Sequence, residues 1–368
     1  MIPTTVFKNP IRLWRIPKIL KKVDYFLFLA MILALVFGLV VILSTNREAF
    51  GRQIIFALSG LTIYIGVSLF DYRLLKKVSI GLYVAVVGLL GLVFVSGIVT
   101  RGAARWLEFG TGQFQPSEFS KVVLILLLAS ALSSHISRLS FKGFLMSAGL
   151  TIVPVLLIYF QPDLGTSIIL LTIWLGVIVA AGLKPFYLFS MAASGLGLLV
   201  PLWSVLKDYQ RRRIISFLNP ARDPLGSGYN VLQAQIAVGS GQFWGRGFGR
   251  GTQSHLQFLP EHYTDFVFAS LSEEWGFVGA LVLLLFFAVL LVRILMVARD
   301  AGDGFGNLIA IGVFSFLLPQ IFINVGMNLG IMPITGIPLP LVSYGGSSLW
   351  VTMMALGLVQ SVAIRRKK

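Results

Sequence analysis

Long apolar runs alternate with short polar connections along most of this chain. Ten of these runs approach or reach the roughly 20 apolar residues that an α-helix needs to cross a hydrocarbon core about 30 Å thick. The pattern therefore predicts an all-α, polytopic membrane protein with about ten transmembrane helices. The runs cover residues 24–43, 54–70, 78–99, 119–134, 144–160, 164–182, 185–206, 266–292, 306–328 and 339–364.

Composition supports a membrane protein and excludes several classes of site. Hydrophobic residues make up 57% of the chain and charged residues only 12%, which a soluble globule of 368 residues could not accommodate on its surface. There is no cysteine, so disulfides, cysteine-based zinc sites and thiol nucleophiles are excluded. The histidines, at 135, 255 and 262, are too few and too scattered to form a histidine-based metal centre.

The distribution of Lys and Arg predicts the orientation. Ten spans place both termini on one side of the membrane, and that side carries 18 of the 30 basic residues. Seven of the other 12 lie in residues 207–265, a segment about as long as the limit for the positive-inside rule. Without that segment, the two sides carry 18 and 5 basic residues, so both termini are predicted to be cytoplasmic. The net charge of +16 then reflects topology and attraction to anionic membrane lipids, and it requires no nucleic acid.

The predicted organisation is one membrane domain with basic ends. Residues 1–23 form a basic cytoplasmic segment, 24–364 the transmembrane domain and 365–368 a basic cytoplasmic tail. The first apolar run is longer than the core of a signal peptide, so it is predicted to be retained. The polar stretch 207–265 joins helices 7 and 8 as a large extracytoplasmic loop. It is a candidate substrate platform or partner surface; the alternative is a mobile loop.

Ionisable residues at the ends of apolar runs are the candidate functional residues, because such positions are costly for charge. Glu118 and Lys121 share a helix face at a spacing of three residues. They suit either a structural ion pair or a functional site. Asp163 is interpreted as a helix N-cap. Asp265 stands where the long loop re-enters the membrane, and it suits either a helix cap, in competition with Thr264, or a general base.

Arg211, Arg212 and Arg213 form a basic run just beyond a predicted helix end. Guanidinium groups bind a pyrophosphate by bidentate contacts, so the run is a candidate pyrophosphate site. The alternative is anchoring to the phosphates of membrane lipids.

Four motifs resemble those of the SEDS (shape, elongation, division and sporulation) family, in the family's order. Their wording is most similar to the elongation (RodA) branch. The family resemblance implies ten helices as well. The motifs are Gln115-Pro116-Ser117-Glu118, Gln161-Pro162-Asp163-Leu164-Gly165-Thr166-Ser167, Gln257-Phe258-Leu259-Pro260-Glu261 with Thr264-Asp265-Phe266, and Pro333-Ile334-Thr335-Gly336-Ile337-Pro338 with Leu341-Val342-Ser343-Tyr344-Gly345-Gly346-Ser347-Ser348.

The resemblance implies a peptidoglycan glycosyltransferase that polymerises lipid II on the outer face of the bacterial plasma membrane. By the same resemblance, Asp265 is the catalytic residue, and Glu118 with Lys121 positions it or the substrate. Arg101 and Arg105 would hold phosphate, and Trp106 would hold sugar.

The resemblance also implies the partners, namely lipid II, undecaprenyl pyrophosphate and a class B penicillin-binding protein that acts as transpeptidase. A hydrophobic furrow for the polyprenyl tail is expected between unspecified helices. No cofactor is required by the sequence, although a divalent cation on the pyrophosphate is compatible with it. Two alternative functions are a lipid II flippase and a non-catalytic scaffold that activates a penicillin-binding protein. The clustering of charges at one surface favours the enzyme over the flippase.

Overall fold

The structure is a computed structural model that describes residues 22–100, 103–109, 112–134, 139–205, 208–220, 227–255, 258–259 and 261–366. Helices dominate these ranges. The helices are α1 (Tyr25–Thr45), α2 (Arg47–Leu69), α3 (Tyr72–Ser96), α4 (Pro116–Leu132), α5 (Phe141–Phe160), α6 (Leu164–Ala180), α7 (Pro185–Val205), α8 (Asp208–Leu218), α9 (Ser227–Ser240), α10 (Thr252–His255), α11 (Val267–Arg299), α12 (Gly304–Leu329) and α13 (Gly346–Ile364).

The helical membrane architecture is confirmed at the level of its apolar helices. Seven described helices, α1, α2, α3, α5, α11, α12 and α13, are long and apolar enough to cross a bilayer. The apolar run at 119–134, which contains Lys121, is the helix α4, and Pro116 occupies its first turn. Each predicted span is helical over most of its length, and the differences lie at the ends.

Several helix boundaries differ from the prediction, and three of them matter for the fold. α2 begins at Arg47 because Asn46 caps it, accepting a hydrogen bond from the Ala49 N–H at 2.9 Å. α11 continues beyond 292 to Arg299. α13 begins only at Gly346, and the prolines and glycines of residues 333–345 leave the preceding stretch non-helical.

A small antiparallel sheet between α3 and α4 was not predicted, although the described residues are mostly helical as expected. Its strands, in sheet order, are β1 (Ile98–Thr100), β2 (Ala103–Phe109) and β3 (Gly112–Phe114). β1 and β3 have three residues each, too few to produce a readable alternation of polar and apolar positions. The sheet leads the chain directly into the first turn of α4.

The stretch 207–265 is not one polar loop, because α8, α9 and α10 lie within it. α9 packs against α11 and α12, and its small residues Ala234 and Ala237 are fully buried. They form an apolar cluster with Leu259, Phe266 and Ala269. Small side chains allow the close approach of helices, so this part of the stretch is a packed element of the fold.

α11 is broken at Gly276, where a neighbouring segment joins its backbone. We call residues 241–247 the clasp. The Phe277 N–H donates to the Gln242 carbonyl at 2.9 Å, and the Gly247 N–H donates to the Glu274 carbonyl at 2.9 Å. Gly276 has a φ of +65°, and a Cβ there would lie 2.3 Å from the Gly245 nitrogen. Only glycine satisfies both the left-handed conformation and this backbone contact.

The centre of the bundle is formed by α4, α12 and α13. α13 packs mainly against α2, and α12 packs against α11, α6 and α4. On the outer helices, large apolar side chains such as Phe26, Ile55 and Ile80 are mostly exposed. In water such surfaces would be costly, whereas lipid tails cover them.

Charged residues join the helix ends on the side of the bundle where α11 ends and α12 begins. The Tyr72 hydroxyl donates to the Asp303 carboxylate at 2.5 Å, and Arg73 Nε lies 3.2 Å from the same oxygen. Asp303 also caps α12 by accepting from the Gly306 N–H at 2.8 Å. Burial alone would raise the pKa of Asp303, but these hydrogen bonds and the positive charge of Arg73 outweigh it and lower the pKa below its ordinary value.

A second ionic contact on the same side ties α1 to α11. Arg293 Nε donates to the Asp24 carboxylate at 3.1 Å, and Asp24 caps α1 through the Leu27 N–H at 3.1 Å. These contacts connect neighbouring helices at this side of the bundle. We define the terminal cluster as Asp24, Tyr72, Arg73, Arg293 and Asp303.

Candidate functional site

Asp265 lies in the turn that precedes α11, at the end of the bundle opposite the terminal cluster. Phe266, and neither Asp265 nor Thr264, occupies the N-cap position of α11. The Thr264 hydroxyl instead donates to Glu261 Oε2 at 3.0 Å. A Cβ built on Gly336 would lie 3.7 Å from Asp265 Oδ2, so this carboxylate rests against the Gly336 backbone. The structure therefore does not use Asp265 as the cap of α11.

Glu118 and Lys121 form an ion pair inside the bundle. Lys121 Nζ lies 2.7 Å from Glu118 Oε2, and the two side chains are 1% and 4% exposed. The ammonium also donates to Gln320 Oε1 at 3.4 Å and stands 4.9 Å from the centre of the Phe316 ring. Burial of two charges costs several kcal/mol each, which pairing and hydrogen bonds have to offset.

Residues 333–345, which we call the inner loop, connect the candidate residues. Its Ile337 and Pro338 carbonyls accept from Asn324 Nδ2 and Gln320 Nε2, each at 2.8 Å. Its Gly336 faces Asp265, as described above. Ile337 also packs so closely on α6 that a Cβ at Gly165 would meet it at 2.5 Å. The inner loop thus brings the fourth motif into contact with the second and third.

Two of the three consecutive arginines in α8 have described side-chain contacts, and these differ. Arg213 Nη1 donates to the Thr335 carbonyl of the inner loop at 3.3 Å, one residue from Gly336. Arg211 Nη2 donates instead to the Ser204 carbonyl at the end of α7, at 2.8 Å. The side chain of Arg212 lies outside the described residues. Of the two arginines with described contacts, only Arg213 therefore contacts the inner loop.

Arg105 and Trp106 lie on β2, while Arg101 lies outside the described residues. Arg105 Nε donates to the Gln161 carbonyl at 3.1 Å, and its Nη2 donates to the Pro162 carbonyl. Trp106 is half-buried and stands opposite Ile98 in the sheet. Arg105 thus joins the sheet to the turn between α5 and α6.

The turn that Arg105 contacts also bears on the interpretation of Asp163. Its carboxylate accepts from the Thr166 N–H at 3.1 Å, which confirms its role as the N-cap of α6. The Ser117 hydroxyl, in the first turn of α4, approaches the same carboxylate at 3.5 Å. Asp163 therefore serves the packing of α6 against α4.

Three buried amides on α12 were not anticipated from the sequence. Gln320, Asn324 and Asn328 are fully buried, and Asn324 Nδ2 and Asn328 Nδ2 donate to the Asp265 carbonyl at 3.0 and 3.2 Å. The available signal was their spacing of four residues within an apolar span, which places three amides on one helix face.

An apolar cavity of about 580 Å³ opens between α2, α3, α4 and α13. Its walls include Phe70, Leu82, Phe119 and Met354, and it reaches Pro116 at the beginning of α4. Pro116, which lines the cavity, therefore lies two residues before Glu118 in the chain. Among the described residues, no group of three or more His, Cys, Asp or Glu side chains could hold a metal ion.

Comparison with known proteins yields consistent relatives. A family model described as "Cell cycle protein", covering FtsW, RodA and SpoVE, matches residues 22–368. The peptidoglycan glycosyltransferase MrdB of Escherichia coli K12 is 40% identical over 94% of both chains. The peptidoglycan glycosyltransferase RodA of Treponema pallidum is 33% identical over 93% of this chain and 98% of its own.

Solved structures with the same fold are also found. One, described as "Structural coordination of polymerization and crosslinking by a peptidoglycan synthase complex", has a TM-score of 0.81 and 34% identity over 93% of this chain and 97% of its own. The crystal structure of the Thermus thermophilus rod shape determining protein RodA has a TM-score of 0.71 and 31% identity over 94% of this chain and 98% of its own.

Proposed function

Because the chain belongs to the FtsW/RodA/SpoVE family, we propose that it is a peptidoglycan glycosyltransferase that polymerises lipid II during cell elongation, with Asp265 as general base. The names of its relatives support the activity. The observation that carries the assignment of the base is the position of the Asp265 carboxylate, which lies against Gly336 without serving as the cap of α11.

The proposed reaction is an inverting displacement. The acceptor's 4-hydroxyl gives its proton to the Asp265 carboxylate while its oxygen forms a bond to the anomeric carbon of the donor. The bond between that carbon and the pyrophosphate oxygen breaks, and undecaprenyl pyrophosphate leaves with the electron pair. A positioned base typically contributes a factor of about 10² to 10⁴ to such a rate. In this proposal the buried pair of Glu118 and Lys121 positions the base or the substrate.

Basic residues would neutralise the leaving pyrophosphate. Arg213 is supported by its contact with the inner loop next to Gly336. The further phosphate contacts would be Arg101, Arg105, Arg211 and Arg212, and the sugar contact would be Trp106. Positive charge near the departing oxygens stabilises the transition state more than the ground state.

The polyprenyl chain would occupy the apolar cavity between α2, α3, α4 and α13. Two features support this: the apolar walls, and the proximity of the cavity to Glu118 through Pro116. A chain of this kind gains about 0.8 kcal/mol for each methylene group removed from water.

We propose ten spans with both termini cytoplasmic, which places Asp265 on the extracytoplasmic face of the plasma membrane. Seven helices are long and apolar enough by themselves, and α4, α6 and α7 bring the number to ten. The excess of Lys and Arg on one side supports the orientation. A class B penicillin-binding protein is the proposed partner, since a related fold occurs in a complex that coordinates polymerisation and crosslinking.

The test is polymerisation of labelled lipid II by the purified protein with its transpeptidase partner. Asp265→Ala should lower the initial rate by at least about 100-fold. Asp300→Ala is the matched control, because Asp300 ends the same helix and pairs with Arg299 at the opposite end of the bundle. It should leave the rate unchanged.

The same variants separate the alternatives. A full polymerisation rate in Asp265→Ala would overturn the proposal and favour a scaffold. Movement of lipid II between the leaflets of reconstituted vesicles, surviving in Asp265→Ala without polymerisation by the parent, would favour a flippase.

A further inference from the structure

Three amide side chains form a continuous row inside α12. Gln320, Asn324 and Asn328 are each 0% exposed and follow one another at intervals of four residues. At 1.5 Å per residue the row extends over about 12 Å of the helix axis. An amide buried in an apolar bundle costs several kcal/mol unless it is hydrogen-bonded, so the partners of these groups are informative.

Most of these partners lie outside the helix. Asn324 Nδ2 carries two hydrogens and donates to the Asp265 carbonyl at 3.0 Å and to the Ile337 carbonyl at 2.8 Å. A single amide group therefore holds the base's own backbone and the inner loop together. The Asp265 carboxylate and Gly336, which face each other, belong to the two segments that Asn324 joins.

The two ends of the row extend the same arrangement. Asn328 Nδ2 also donates to the Asp265 carbonyl at 3.2 Å, and its Oδ1 accepts from the Ala269 N–H at 3.1 Å. It thereby satisfies one of the unpaired N–H groups in the first turn of α11. At the other end, Gln320 accepts from Lys121 Nζ at 3.4 Å and donates to the Pro338 carbonyl at 2.8 Å. One helix face thus contacts both the buried ammonium and the backbone of the base.

We propose that Gln320, Asn324 and Asn328 are positioning residues that hold the Asp265 carboxylate at a fixed distance from the pair of Glu118 and Lys121. This inference rests on the proposed function, in which Asp265 is the base. α12 acts as the rigid element, because its backbone hydrogen bonds fix the spacing of the three amides. A displacement of about 1 Å at a reacting group can cost about 100-fold in rate, so the loss of one amide should act on turnover.

The experiment measures initial polymerisation rates as a function of labelled lipid II concentration, together with thermal unfolding in detergent. Asn324→Ala should lower kcat by about 10- to 100-fold. The apparent KM for lipid II should stay close to that of the parent. The Tm should fall, because two buried carbonyls lose their hydrogen-bond donor. Asn307→Ala is the matched control: it removes an asparagine of the same helix that donates to one carbonyl, that of Ala298, at the opposite end. It should leave kcat unchanged.

Every outcome decides the inference. It is overturned if kcat of Asn324→Ala equals that of the parent, if KM rises in proportion to the fall in kcat, or if Asn307→Ala lowers kcat equally. Should Asn324→Ala not yield folded protein, Asn324→Ser replaces it, because the hydroxyl still donates one hydrogen bond. A folded Asn324→Ser with the parent's kcat overturns the inference as well. Full activity in Asp265→Ala would overturn the proposed function instead, so the two failures are distinguishable.

Discussion

The two ends of the bundle use charged residues in opposite ways. In the terminal cluster, Arg73 and Asp303 have side chains that are 50% and 34% exposed, and they meet at the ends of helices. At the other end, the side chains of Lys121 and Glu118 are almost completely buried. Each ion pair of the terminal cluster keeps at least one partner within reach of water, so it can hold helix ends together at little cost. Charges that are fully buried reduce stability, and their presence is better explained by function.

The largest effect should come from breaking the buried pair. Lys121→Met leaves Glu118 buried without its counter-ion, and it should destabilise the protein by about 3–5 kcal/mol. The double variant Lys121→Met with Glu118→Leu should recover most of this stability while polymerisation stays low. Thermal unfolding in detergent and the lipid II assay are the measurements. Recovery of both properties in the double variant would make the pair structural and remove the contrast between the two ends.

A smaller effect is expected at the junction of α1 and α11. Asp24→Ala removes a helix cap, worth about 1 kcal/mol, and the charge-assisted hydrogen bonds that Arg293 donates to this buried carboxylate, worth about 2 kcal/mol. The free energy of unfolding should therefore fall by about 3 kcal/mol. The polymerisation rate per folded molecule should not change. Asp24→Asn serves as the control, because it keeps the cap and removes only the charge. A loss of rate as large as that of Lys121→Met would contradict the structural role assigned to this end.

Removal of one hydroxyl should have a still smaller effect. Tyr72→Phe eliminates the hydrogen bond to Asp303 and should lower the free energy of unfolding by about 1 kcal/mol. Unfolding is again measured in detergent, alongside the polymerisation rate. An unchanged Tm would mean that Asp303 contributes to stability only through its contacts with Arg73 and Gly306.

The smallest effect is a pH dependence. The pKa of Asp303 is lowered in the folded protein, so its contribution to stability is complete above the unfolded value of about 3.9. It declines as the pH falls from there through the lower folded-state pKa. Over that range, the Tm of the parent should fall more steeply than that of Asp303→Asn, which retains a cap. Parallel curves for the two proteins would exclude this contribution.

The sequence predicted the helical spans well because hydropathy and helix length are local properties. The same locality explains what it missed. The strands around Trp106 are too short to show a period, and the break at Gly276 depends on contact with Gly245, which is remote in sequence. Glycine alone does not indicate such a contact.

The candidate site was only partly predictable for a related reason. Glu118, Lys121 and Asp265 stood out because charges are rare in apolar runs. Gln320, Asn324 and Asn328 are uncharged, and their role depends on carbonyl groups of other segments. Arg211 and Arg213 are only two residues apart, yet their side chains contact different segments because they leave α8 in different directions.

The break in α11 also bears on how the protein tolerates different membranes. The part of α11 after the break, residues 277–299, is roughly 34 Å long, slightly more than a typical hydrocarbon core. A helix of this length can adjust to bilayer thickness by tilting. The part before the break, residues 267–275, begins just after Asp265 and is fixed by hydrogen bonds to Asn328 and to the clasp. We therefore expect residues 277–299 to take up hydrophobic mismatch, so that turnover varies little between lipids of different acyl-chain length.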